Sequence, residues 1–90
     1  MIKSFKHSGL EKFYKTGSKS GIQPVHAKKL RLQLTALEFA ARPSDMGRAG
    51  WDLHPLQGKP EGRWSISVNG NWRVTFRLTG VEIVDYVDYH

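Results

Sequence analysis

The feature of this sequence that most constrains its fold is a change in the spacing of apolar residues near Arg42-Pro43-Ser44. Before this point apolar side chains recur every three or four residues, which is typical of amphipathic helices. After it they alternate with polar side chains, which is typical of strands with one buried face. The chain is therefore predicted to be α+β, with helices followed by a mostly antiparallel sheet. Its 90 residues suffice for one domain, residues 1–90.

The first predicted helix begins near Ser8. Ser8 and Glu11 have the Ser-x-x-Glu spacing of a capping box, in which the hydroxyl and the carboxylate bond free backbone amides at a helix start. Leu10, Phe13 and Tyr14 would then face one side of this helix.

A second helix is predicted from Pro24 to Ala41, because proline suits the first helical position. An apolar stripe follows at helical spacing, namely Ala27, Leu30, Leu34, Leu37 and Ala41. Leu32 and Phe39 are expected to broaden that stripe. The side chains left for solvent are Lys28, Lys29, Arg31 and Gln33.

The second half of the chain predicts an antiparallel hairpin. Two alternating runs flank a three-residue loop, Asn69-Gly70-Asn71. This loop length places the apolar residues of both runs on one face, with the pairs Val68–Trp72, Ile66–Val74 and Trp64–Phe76. Further strands are expected at residues 81–87 and at residues 1–5.

The other face of the hairpin carries polar and cationic side chains, namely Ser65, Ser67, Arg73, Thr75 and Arg77. Such a face fits a phosphate-binding surface. It also fits an ordinary solvated face, which antiparallel sheets often have and which the hairpin alone favours.

Composition narrows the classes of function. The chain has 14 Lys and Arg against 8 Asp and Glu, a formal charge of +6, which favours a polyanionic partner. It has no cysteine, which excludes disulfides and thiolate chemistry and fits the cytoplasm. No apolar stretch approaches the ~18 residues of a membrane span, so no membrane association is expected.

Two segments carry residues suited to acid–base chemistry. One is Leu53-His54-Pro55, where the proline restricts the backbone of the histidine. The other is the end of the chain, Asp85 to His90. No pair of histidines has a convincing zinc-ligand spacing, so we expect neither a metal nor another cofactor. Metal-free RNA cleavage needs a base, an acid and cations, which His, Asp, Tyr and Arg can supply.

Several segments together resemble the HigB-like toxins of the RelE/ParE superfamily, also called plasmid maintenance killer proteins. They are residues 1–6, Leu53-His-Pro-Leu-Gln-Gly58, the hairpin strands at 62–68 and 71–76, and Asp85-Tyr-Val-Asp-Tyr-His90. The resemblance spans essentially the whole chain. It implies a RelE-like fold, with two N-terminal helices on one face of a twisted sheet and an active cleft on the other.

The resemblance also implies an activity and partners. Such toxins cut mRNA in the A site of a translating ribosome. A HigA-like helix-turn-helix antitoxin silences them, and operator DNA is bound only through the complex with that antitoxin.

Carried over by position, the implied catalytic residues are His54, Arg73, Asp88, Tyr89 and His90. The two histidines would transfer protons, in an order the sequence leaves open. Asp88 and Tyr89 would position groups and balance charge, and Arg73 would stabilise the transition state. Residues expected to contact RNA or the ribosome are Lys12, Lys15, Lys28, Lys29, Lys59, Arg63 and Arg77. One departure is Gln57, where similar toxins often carry lysine; Lys59 or Arg63 could supply that charge.

Two alternatives stay open at this point. A ParE-like toxin shares the fold but inhibits gyrase without cutting RNA. A non-enzymatic basic module would bind a nucleic-acid backbone and would not require its histidines.

Overall fold

The structure, a computed structural model, describes residues 2–58, 61–78 and 82–88. Its helices are α1 (Ser8–Thr16) and α2 (Ala27–Phe39), and its strands are β1 (His54–Pro55), β2 (Arg63–Asn69), β3 (Trp72–Arg77) and β4 (Glu82–Asp88). Short 3-10 turns occupy Pro24–His26 and Pro43–Met46. The predicted α+β class, with helices before strands, is confirmed.

Helix α1 starts where the sequence predicts, but a different residue caps it. The helix-capping side chain is His7, whose Nδ1 accepts a hydrogen bond from the Leu10 backbone N–H at 2.9 Å. The predicted cap by Ser8 is therefore wrong, because Ser8 is already the first residue of the helix. At the other end Gly17 adopts φ 80, a left-handed conformation suited to glycine, and its N–H bonds the Phe13 carbonyl.

Helix α2 buries most of the predicted stripe. Ala27, Leu30, Leu34 and Leu37 contribute to the core. Three expectations for the region were wrong. The α-helix ends at Phe39 and leaves Ala41 exposed, Leu32 and Phe39 point to solvent, and Gln33 is buried. Burial of Gln33 is compensated only in part, because its Nε2 donates to the Ser67 carbonyl at 2.7 Å, whereas its buried Oε1 has no hydrogen-bond partner among the described residues.

The four strands form one antiparallel sheet in the order β1-β2-β3-β4. The predicted pairs Trp64–Phe76 and Ile66–Val74 are confirmed. Nearer the turn the prediction was wrong, because Trp72 pairs with Asn69 and the register shifts between Ser67 and Asn69. Such a bulge adds a residue to one strand, and here it leaves Val68 buried at 1% exposure.

The core lies between the helices and one face of the sheet. It joins Leu10 and Phe13 of α1 and the inner side of α2 to sheet residues, namely Ile66, Val68, Val74, Phe76 and Tyr86. This layering leaves the opposite sheet face for the polar side chains.

The predicted strand at residues 1–5 is absent from residues 2–5, where Phe5 forms only an isolated bridge. Ile2 and Phe5 pack against the core by their side chains, and the Phe5 ring lies 5.6 Å from that of Tyr14. The apolar pattern of this segment is therefore explained by packing. Of the helices in the described ranges, none is long and apolar enough to cross a membrane.

Candidate functional site

The face of the sheet away from the helices brings together residues from all four strands. In the register of the sheet, His54 lies opposite Ser65, Ser65 opposite Thr75, and Thr75 opposite Asp85. The next row pairs Ser67 with Arg73. Opposed residues in a sheet share a face, so His54 and Arg73 lie on the same side. Two strand spacings, about 10 Å, and one two-residue step, about 7 Å, separate their backbones.

The hydrogen bond made by His54 defines which of its ring nitrogens can act. Nδ1 lies 2.9 Å from the Asp52 carbonyl oxygen, which can only accept a hydrogen bond. Nδ1 therefore carries the proton of the neutral ring, and the lone pair is on Nε2. His54 is half-buried, so Nε2 belongs to an oriented imidazole at the edge of the sheet.

The carbonyl that holds His54 belongs to Asp52, whose backbone conformation is uncommon. Its φ is 48, and within the described ranges it is the one residue other than glycine with positive φ. Aspartate adopts this left-handed conformation more readily than most residues, yet it still costs free energy. The same residue provides the carbonyl oxygen that accepts the hydrogen bond from His54 Nδ1, two residues later.

Arg73 is anchored by the hairpin that carries it. Its Nη1 donates to the Ser67 hydroxyl at 3.1 Å and to the Gly70 carbonyl at 3.0 Å, and contacts the Trp72 carbonyl at 3.3 Å. All three of these bonds use one nitrogen. The guanidinium can thus be held in place while Nε and Nη2 remain suited to an anionic oxygen pair.

Two more arginines lie on the same face, farther from the turn. Arg63 and Arg77 oppose each other and are half-buried. Between them and Arg73, the side chains of Ser65 and Thr75 are buried, at 0% and 4% exposure. The predicted polar face is therefore a packed floor of small side chains with guanidinium groups around it, which suits phosphate better than a fully solvated face would.

Asp88 lies apart from this row of residues. It opposes Trp72, which places it on the helix-covered side of the sheet, whereas Asp85 opposes Thr75 on the polar side. Asp88 is also close enough to Tyr86 for its charge to contribute to raising the pKa of that phenol, after the larger effect of burial. Strand alternation in the sequence indicated only that Tyr86 and Asp88, two residues apart, share one side of the strand, and the register of β4 decides which side.

A buried aromatic cluster joins β4 to the helices, and sequence reasoning did not identify it. The Tyr86 hydroxyl lies 2.6 Å from His26 Nδ1, and the Tyr86 ring stacks on Trp72 with centroids 4.5 Å apart. The Gln23 N–H donates to the same hydroxyl at 3.4 Å. Burial, followed by the charge of Lys29, lowers the pKa of His26. These contacts fasten the last described strand to the start of α2.

The remaining predicted site residues fall into two groups. Tyr89, His90 and Lys59 lie outside the described residues. Lys12 and Lys15 are exposed on α1, and Lys28 and Lys29 lie on α2. The helices cover the sheet face opposite to His54 and Arg73, so the structure separates these four lysines from the arginine-lined face.

No cluster of three or more metal-ligating side chains occurs among residues 2–58, 61–78 and 82–88. The groups assembled on the polar face are an imidazole, three guanidinium groups and the carboxylate of Asp85, above the buried side chains of Ser65 and Thr75. Such a set can bind a phosphodiester and transfer protons.

Comparison with known proteins agrees with this arrangement. Residues 3–90 match the model of a family described as RelE-like toxin of type II toxin-antitoxin system HigB. The chain is also 40% identical, over 92 aligned positions, to a protein of Proteus vulgaris named Endoribonuclease HigB, and the match covers 100% of both chains. The chain therefore belongs to the HigB-like family of RelE-like toxins, which act in type II toxin-antitoxin systems.

Proposed function

We propose that this chain is an endoribonuclease that cleaves mRNA in the A site of a translating ribosome, without a metal ion. The observation that carries the proposal is that an oriented His54 and an anchored Arg73 lie on the same face of the sheet. The name of the Proteus vulgaris relative supports the same class of reaction.

The chemistry follows from what RNA offers as a nucleophile. A base removes the proton of the ribose 2′-hydroxyl, whose oxygen attacks the adjacent phosphorus. The bond from phosphorus to the 5′-oxygen breaks, and that oxygen takes a proton from an acid. The products are a 2′,3′-cyclic phosphate and a free 5′-hydroxyl, so protons and bonds balance with neither a metal nor an added cofactor.

We assign proton transfer to His54 and His90 and leave their order open. Neutral His54 has its lone pair on Nε2 and can act as the base, and the same nitrogen can donate once it is protonated. Arg73 would stabilise the extra negative charge on the phosphorane, with Arg63 and Arg77 binding flanking phosphates.

Asp88 and Tyr89 are proposed to have positioning and charge-balancing roles. For Asp88 this role fits its register on the helix-covered side, next to Tyr86, because there it would act through the end of β4 and not on the phosphate.

The lysines of the helices suggest how the chain contacts the ribosome. Lys12, Lys15, Lys28 and Lys29 lie away from the polar face, and we propose that they contact ribosomal RNA while mRNA occupies that face. The ribosome would hold the scissile phosphate in position, which contributes to rate by orientation. Accordingly, naked RNA is expected to be a poor substrate. Lys59 is proposed to add a further contact.

The family places the chain in a toxin-antitoxin system, so an antitoxin is its partner. We propose that this antitoxin is a HigA-like helix-turn-helix protein, and that the complex of the two proteins binds operator DNA only through the antitoxin. The proposed place of action is the cytoplasm, where translating ribosomes are found.

Brief expression in growing bacteria tests the proposal. The 5′ ends of cellular mRNAs are mapped after induction of the wild-type chain, of His54→Gln and of a loop control, Gln57→Ala. We expect cuts phased with codons for the wild type and the control, and a loss of roughly 100-fold or more for His54→Gln.

Two results would overturn the proposal. Altered DNA supercoiling without mRNA cuts would indicate a gyrase inhibitor, and neither effect would indicate a nucleic-acid-binding module. Retained folding of His54→Gln, checked by circular dichroism, ensures that lost cleavage reflects lost chemistry.

A further inference from the structure

The hydrogen bond between the Tyr86 hydroxyl and His26 Nδ1 is a buried polar contact that the proposed chemistry does not use. The two atoms lie 2.6 Å apart, and the side chains are only 2% and 5% exposed. Tyr86 opposes Val74, a core residue, so the contact lies on the helix-covered side of the sheet. A phenylalanine would fill almost the same space without burying a hydroxyl, so packing alone does not account for this pair.

A buried polar pair selects one packed arrangement over others. Such a hydrogen bond adds little net stability, yet leaving its two partners unpaired in the core is costly. Any arrangement that separates the Tyr86 hydroxyl from the His26 imidazole is therefore disfavoured. The arrangements that the pair can exclude are shifted positions of β4.

The register of β4 against β3 is weakly specified by its own sequence. β4 lies at the edge of the sheet, where β3 is its one neighbour among the described strands. The pairing is irregular between Thr75 and Arg77, so this ladder already tolerates a shift. Apolar residues also occur in both alternate sets of β4 positions. One set contains Ile83, Asp85 and Val87, and the other contains Val84, Tyr86 and Asp88. Alternation that does not separate apolar from polar positions permits slippage.

The Tyr86 ring is held between three other parts of the chain. It stacks on Trp72 of β3, with centroids 4.5 Å apart. It also meets the edges of His7, just before α1, and of His26, at 5.3 and 6.1 Å. The Gln23 N–H reaches its hydroxyl at 3.4 Å. Ring contacts tolerate small shifts, whereas a hydrogen bond is directional, so the Tyr86–His26 bond is the contact that best distinguishes one register from another.

The register of β4 matters because it relates two parts of the proposed site. Asp88 opposes Trp72, and Arg73 follows Trp72 along β3. A slip of one residue would turn Asp88 to the other side of the sheet, and a slip of two would move it by about 7 Å along β3. Catalysis is sensitive to displacements as small as about 1 Å, so either slip would be expected to lower the rate of cleavage.

We propose that the hydrogen bond between Tyr86 and His26 fixes the register of β4, and so positions Asp88 and the two residues after it relative to Arg73. Tyr86 and His26 are positioning residues on the helix-covered side, and they act without touching the RNA. The effect on cleavage rests on the proposed function. The effect on register does not.

Single-turnover cleavage of ribosome-bound mRNA, with the full chain in excess, tests this role in Tyr86→Phe and His26→Leu. The temperature is kept well below the Tm of each variant. We expect the maximal rate to fall roughly 10-fold or more, while the protein concentration that gives half of that rate stays unchanged. A loss of folded protein would have the reverse effect, since it raises that concentration and leaves the maximal rate intact.

Two further variants serve as controls. His26→Asn keeps an amide close to the place of Nδ1 that can bond the Tyr86 hydroxyl, and it should recover most of the maximal rate lost in His26→Leu. Tyr14→Phe removes a hydroxyl of the same kind, which bonds Glu38 at an exposed site away from β4, and it should cleave like the wild type.

The register itself is measured by NMR on the full chain. The wild type should show cross-strand backbone contacts for the pairs Val74–Tyr86 and Arg73–Val87. Tyr86→Phe should show a second, shifted set of contacts for β4. A single unshifted set in Tyr86→Phe would overturn the proposal, whether or not the cleavage rate falls. A wild-type chain that does not cut RNA would overturn the proposed function, and the NMR contacts would still decide whether Tyr86 fixes the register.

Discussion

At the scale of the residue, the site depends on side chains whose orientation is set by backbone groups. The Asp52 carbonyl fixes the tautomer of His54, and the Gly70 carbonyl and the Ser67 hydroxyl hold Nη1 of Arg73. Each anchor lies within a few residues of the side chain it holds. Such anchoring reduces the reorganisation needed when charge develops in a transition state.

Sequence patterns predicted the residue types of the site but not these contacts. The Leu-His-Pro segment indicated an oriented histidine, because proline restricts the residue before it. The positive φ of Asp52 had no signal in the pattern, since aspartate also occurs in ordinary turns. The side of the sheet on which Asp88 lies follows from its pairing with Trp72, which depends on the register of β4.

Arg73 gives the sharpest prediction at this scale. Arg73→Lys keeps the positive charge but removes the planar guanidinium. That group bonds the hairpin through Nη1, and we propose that its other nitrogens bind an anion. We expect the single-turnover cleavage rate on ribosome-bound mRNA to fall roughly 10- to 100-fold. Arg42→Lys, an exposed substitution outside the polar face, serves as the control and should cleave at the wild-type rate. An unchanged rate in Arg73→Lys would show that charge alone suffices.

At the scale of the element, helices and strands follow the spacing of apolar residues closely. The core side of α2 and the pairs Trp64–Phe76 and Ile66–Val74 were predictable, because a buried face imposes its period on the sequence. The bulge near Val68 was not predictable from the sequence, because the apolar side chains are buried both in the regular register and in the bulged one. The exposure of Leu32 and Phe39 was not predictable either, because an apolar residue at the margin of a stripe can face either the core or the surface.

The attachment of β4 to α2 through His26 predicts a pH dependence of stability. Because burial lowers the pKa of His26, the unfolded chain binds a proton there more readily than the folded chain. The stabilising effect of neutral His26 is complete above its unfolded pKa, near 6.5, and is lost as the pH falls below that value.

The measurement is Tm between pH 7.5 and 5, for the wild type and for His26→Gln. We expect the wild type to lose more Tm over this range than the variant, because glutamine does not titrate. Other histidines are shared by both proteins, so the difference reports on His26. Equal losses in the two proteins would show that His26 does not couple pH to folding.

At the scale of the whole molecule, the sheet separates two surfaces with different chemistry. One side holds an imidazole and three guanidinium groups, and the other is covered by helices whose outer side is apolar and basic. The sequence predicted the two sides of the sheet in outline, since alternation distinguishes a polar sheet face from a helix-covered one, but it wrongly assigned Leu32 and Phe39 to the buried side of α2. This division keeps the polar face, which we propose to be the reactive one, apart from the outer side of the helices.

The most direct test of the central claim is cleavage of a ribosome-bound mRNA with a single 2′-deoxy substitution at the scissile nucleotide. The substitution removes the nucleophile and leaves every protein contact to the phosphate in place. We expect the all-ribose mRNA to give a 2′,3′-cyclic phosphate in the presence of a chelator, and the substituted mRNA to stay intact at that position. Cleavage of the substituted mRNA at the same phosphate, at a rate near that of the all-ribose mRNA, would contradict the account.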